Sequence, residues 1–69
     1  MNYITRTING ITLYFDGEKF TEHAGQAKRY EIDEAMQEIA DKEIQFADIT
    51  PISDEWMRVN DFAFKLINP

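Results

Sequence analysis

The chain has 69 residues, 43% of them apolar and 13% aromatic, and it carries a formal net charge of −6. That length sets a single small domain over residues 1–69, with a core near the limit at which burial offsets chain entropy. With no cysteine, no apolar run near the roughly 20 residues that cross a bilayer and no apolar leader segment, disulfides, thiolate chemistry and membrane spans are excluded and a cytoplasmic protein is expected.

In "YITRTINGITLYF" the pair Asn9-Gly10 separates two β-rich runs. Asn-Gly favours the positive φ values of a two-residue type I′ turn. Ile4, Arg6 and Ile8 alternate with Tyr3, Thr5 and Thr7, and Ile11, Leu13 and Phe15 alternate with Thr12 and Tyr14. The spacing predicts a hairpin with one apolar face and one face of Thr and Tyr. Asp16-Gly17 marks a second turn, after which "EKFTE" is a candidate short third strand. "HAGQ" reads as a loop with a solvated His23, and "AKRY" as a return towards the sheet.

A helix is predicted over residues 31–43. Ile32, Ala35, Met36, Ile39 and Ala40 recur at the spacing of a stripe packed on a sheet, while Asp33, Glu34, Gln37, Glu38 and Asp41 fill the other side. Residues 44–49 read as a strand, and Pro51 places it at an edge, because proline donates nothing to a ladder. From Ser53 onwards two readings stay open. As a helix, Ser53 is the N-cap and Asp54–Arg58 and Asp61–Lys65 form favourable pairs four residues apart. As a short helix followed by a strand, Phe62, Phe64 and Leu66 alternate equally well. The helical reading is preferred. The fold class is therefore α+β: an antiparallel sheet of three to four strands, one covering helix, and a C-terminal segment closing the core, with Trp56 buried in it.

Catalytic constellations are missing. His23 is the sole histidine and has no cysteine or second histidine to share a metal. Asp16, Glu18 and Glu22 only echo a calcium loop, and Gly10, Gly17 and Gly25 form no phosphate-cradling run. A non-enzymatic protein without a cofactor or metal is expected. Direct nucleic-acid binding is disfavoured too, because phosphates need clustered Arg and Lys, and Lys28-Arg29 is the largest basic cluster.

The acidic charge is concentrated. Residues 22–55 hold ten acids against Lys28, Arg29 and Lys42, and residues 31–43 hold six acids against Lys42 alone. Part of this favours the helix dipole and part keeps a small domain soluble. The remainder has a spacing of its own. Glu34, Glu38 and Asp41 rise about 6 Å and then about 4.5 Å along one side of a helix, a row that can imitate a short phosphate track. Asp33, Asp48, Asp54 and Glu55 are candidates to widen it. Such a surface is expected to attract a host protein with a basic nucleic-acid-binding site. The alternative is a structural or assembly module that pairs through an exposed sheet edge, as a homodimer or with a larger protein.

The segments "YFDGEKF", "AKRY" and "DEAM" resemble a layout of small phage and prophage proteins, in which a strand and glycine turn lead through Ala-Lys/Arg-Arg-Tyr/Phe into an acidic helix. Glu31 stands here where a Ser or Thr cap is usual. The whole chain, tiny, acidic, cysteine-free and without catalytic motifs, resembles the anti-CRISPR type of phage protein. That resemblance implies a stoichiometric inhibitor occupying the DNA-binding surface of a CRISPR effector.

Overall fold

A computed structural model describes residues 1–67. Strand β1 (Asn2–Ile8) turns at Asn9 and Gly10, with φ of 51° and 80°, into β2 (Ile11–Phe15). Ile8 pairs with Ile11 and Thr5 with Tyr14, the two-residue register that the Asn-Gly turn imposes. At the second turn the Asp16 side chain accepts the backbone N–H groups of Glu18 and Lys19 at 2.8 and 2.9 Å. Gly17 supplies a φ of 107° there. The short strand β3 (Phe20–Thr21) follows, antiparallel to β2.

A 3-10 turn (Ala24–Gln26) and an extended segment lead back to the sheet, where Tyr30 and Asn2 exchange backbone hydrogen bonds at 2.8 and 3.2 Å. Helix α1 (Ile32–Asp41) begins there, with Glu31 at its N-cap and Glu34 accepting the Glu31 N–H at 3.1 Å. The expected span of 31–43 is thus trimmed at both ends. Glu43 adopts a left-handed φ of 52°, and the Glu43 and Ile44 N–H groups bond back to Ala40 and Ile39. This is the closure of a Schellman motif, built here without glycine.

The fourth strand, expected at residues 44–49, lies instead at β4 (Asp48–Pro51). The left-handed Glu43 and Phe46 (φ 56°) consume the intervening residues in a loop, and Arg6 anchors that loop by donating to the Gln45 carbonyl at 2.6 Å. Sheet order is β3-β2-β1-β4, antiparallel throughout, so β4 is an edge, as Pro51 demands. The C-terminal segment is helical: α2 (Asp54–Ile67), capped by Ser53, whose Oγ accepts the Trp56 N–H at 3.1 Å.

The two helices cover opposite faces of the sheet. Ile4, Phe15 and Tyr30 pack with Ala35 of α1, joined by Ile39, Ile44 and Ile49. On the other face Tyr3 and Tyr14 pack with Ala24 and with Met57 of α2. Each face of β1 and β2 thus serves a separate small cluster, which the alternation of Ile with Tyr and Thr allows.

Two expectations for apolar residues are corrected. Within the helix stripe, Ala35 and Ile39 face the core, but Ile32 and Met36 are 55% and 58% exposed and Ala40 is exposed. Trp56 is 43% exposed, its ring tilted 47° to that of Tyr14 with centroids 6.4 Å apart.

Candidate functional site

The four carboxylates expected on α1 are not equivalent. Asp33 and Asp41 are exposed, and Asp41 accepts from the Gln37 amide at 2.7 Å. Glu34 is exposed but spends one oxygen on the helix N-terminus. Glu38 turns inward. Its side chain is 16% exposed and accepts from the Tyr30 hydroxyl at 2.8 Å, with Lys42 Nζ at 3.4 Å and Lys28 Nζ at 3.9 Å. The Tyr30 hydroxyl, with Lys42, holds the Glu38 carboxyl below the usual carboxylate range. Burial, and then Glu38 itself, push the Tyr30 hydroxyl well above its ordinary value.

The row Glu34–Glu38–Asp41 is therefore interrupted at its middle member. This also explains the rotation of the helix. Placing Glu38 against Tyr30 and two lysines turns Ile32 and Met36 out to solvent.

Lys42, the one base of residues 31–43, reaches back over the sheet. It donates to the Gly17 carbonyl at 2.5 Å and lies over the Phe15 ring at 5.5 Å. The outward side of α1 is left with Asp33, Glu34 and Asp41, flanked by exposed Glu31 and Glu43. Lys28 borders it on the Tyr30 side, in a shallow depression shared with Glu34, Gln37 and Asp41.

Asp48, Asp54 and Glu55 do not join this surface. Asp48 lies opposite Thr5 in the ladder and shares its face, across the sheet from α1. Asp54 forms an ion pair with Arg29 rather than with Arg58, and the Tyr3 hydroxyl and Asp54 raise the Arg29 pKa. Glu55 is exposed in the first turn of α2. The seven expected residues thus form two groups, separated by the sheet.

Sequence reasoning missed His23. It is not solvated. The ring stacks on Phe64 with centroids 4.4 Å apart and 12° between planes, and it bonds to the Asp61 carboxylate. Lys65 completes the cluster, with Nζ 3.2 Å from Asp61, so the Asp61–Lys65 spacing was the legible part. His23, then Lys65, hold the Asp61 carboxyl below the usual range. Gly25 lies directly under Asp61, where a Cβ would come within 2.9 Å of the Asp61 Cβ.

A groove of about 470 Å³ lies beside Asp48 between the Thr face of the sheet and the first turn of α2. Thr5, Thr7, Thr12 and Thr50 line it, with Ser53 and Trp56 at one end, and the Thr5 and Thr50 hydroxyls bond at 2.9 Å. Among the described residues no group of three or more His, Cys, Asp or Glu side chains is arranged to hold a metal ion, and no helix is long and apolar enough to cross a membrane. No family model, curated protein or solved structure matches the chain.

Proposed function

We propose that the protein is a non-enzymatic binding partner of a basic, nucleic-acid-handling protein, an inhibitor of the kind that acts on a CRISPR effector, and that α1 makes the contact. The observation that carries this reading is the disposition of charge on α1. Lys42 is withdrawn to Gly17 and Glu38, while Asp33, Glu34 and Asp41 stay in solvent beside the exposed apolar side chains of Ile32 and Met36. Apolar anchors within a charged rim are the anatomy of a protein interface. The carboxylates would set on-rate and specificity, and the apolar pair would supply desolvation energy.

The test is competition. The tagged protein, incubated with bacterial lysate, is expected to retain a basic nucleic-acid-binding protein that added DNA displaces and that rising salt releases. The double variant Asp33→Lys, Asp41→Lys avoids Glu38 and the Glu34 cap, and it should fold normally yet retain nothing. Capture that ignores DNA, salt and the double variant alike would remove α1 as the contact.

A further inference from the structure

The Trp56 indole is a wall shared by three adjoining depressions. One is the Thr-lined groove of about 470 Å³. A second, of about 360 Å³, runs past Tyr14, Ala63 and Phe64, and a third, of about 330 Å³, lies against Val59 and Asn60. The ridge between them is held in place. The Trp56 N–H is bound by Ser53 Oγ at 3.1 Å, its carbonyl accepts from Asn60 Nδ2 at 2.8 Å, and its ring leans on Tyr14. A chain this short gains most by burying its single Trp, and here 43% of it faces solvent on a fixed backbone.

Each depression contains one carboxylate: Asp48 in the first, Glu22 in the second and Glu55 in the third. None of the three is lined by Lys or Arg. Carboxylates alone would select nothing. A half-exposed indole with space on three sides does select, because it offers an aromatic surface to an apolar stem and a nearby anion to its head group. Arginine and lysine have that shape, with methylene stems that lie along apolar surface and cationic ends attracted to an indole face. Thr7 and Thr12 add hydroxyls that can donate and accept beside the mutually bonded Thr5–Thr50 pair, and these suit backbone amides beside such side chains.

We propose that the Trp56 ridge binds an extended, arginine- or lysine-bearing segment of a partner protein. The site rests on the reading that the partner is basic, but it lies across the sheet from α1, so the two surfaces can fail separately.

Trp56 is the only tryptophan, so its emission reports on the site directly. The probe is a synthetic peptide of alternating arginine and serine, with a citrulline-for-arginine counterpart of the same length and a neutral maltooligosaccharide as controls. The arginine peptide should shift Trp56 emission saturably, and neither control should. Trp56→Leu, checked for folding by circular dichroism, should weaken calorimetric binding of the peptide about tenfold. Asp48→Asn should weaken it about threefold, and Asp33→Lys with Asp41→Lys should leave it unchanged. Equal binding of the citrulline peptide, or emission that follows the saccharide instead, overturns the proposal. So does an affinity that falls with the α1 variant and not with Asp48→Asn; that result would leave the proposed function standing.

Discussion

Replacing Glu38 by Gln keeps an acceptor opposite the Tyr30 hydroxyl but removes the charge that Lys28 and Lys42 flank. A lower melting temperature than that of Glu34→Gln is expected, although sequence alone places both on one polar face. Differential scanning fluorimetry of the two variants checks this, and equal melting temperatures would return Glu38 to the surface. Asp61 makes a second residue-level prediction. Its folded carboxyl titrates below the ordinary value of 3.8, chiefly through His23 and then Lys65. Stability from this cluster is therefore complete above that value and lost as pH falls through the folded one. Near-neutral pH leaves the Asp61 contribution intact, and acid below about pH 4 removes it. In Asp61→Asn the acid-side loss should be shallower, read as melting temperature against pH. An unchanged slope would mean that other carboxylates, such as Asp16 and Glu38, carry the acid transition.

At the scale of elements, the two clusters differ in what holds them. Ile4 is fully buried on the central strand β1 beneath α1. Ile4→Ala should cost about 2–5 kcal/mol, comparable to the whole stability of a domain this size, and circular dichroism should show a largely unfolded chain. Gly25→Ala acts on the other side, where the added methyl would push Asp61 and with it α2 off the 3-10 turn. Near-ultraviolet dichroism from Trp56 should weaken while the signal of the sheet persists. Strands β1 and β2 were legible because alternation and an Asn-Gly turn are local signals. The start of β4 was not, because Glu43 and Phe46 take a left-handed backbone that neither residue type advertises. The rotation of α1 was hidden for a different reason. A period of 3.6 finds the apolar stripe, but Tyr30 decides which flank faces inward, and Tyr30 lies outside the helix. The candidate site followed the same division: the carboxylates were visible one by one, and their separation by the sheet was not.

For the whole molecule, the sheet has two edges of unequal consequence. β3 is two residues long, and β4 runs from Asp48 to Pro51, so a charge and a missing donor bracket the longer edge. Association through β4 is thereby discouraged, and scattering should give a radius of gyration that stays near the Cα value of 11.8 Å as concentration rises. A marked increase would favour the assembly module over the inhibitor. The attachment of α2 has one more consequence. Met57 is its one buried residue, and the rest of its attachment is the stack of Phe64 on His23, the contact of Trp56 with Tyr14, and the polar links of Asp61 to His23 and Asp54 to Arg29. A helix with one buried residue and few links to the rest of the fold opens at a free energy below that of global unfolding. Amide hydrogens of α2 should therefore exchange with deuterium well before those of β1, and the opened state would release Tyr3 and Tyr14 from beneath α2. Binding at Trp56 would then report itself as slowed exchange along the entire C-terminal helix, far beyond the residues that touch the ligand.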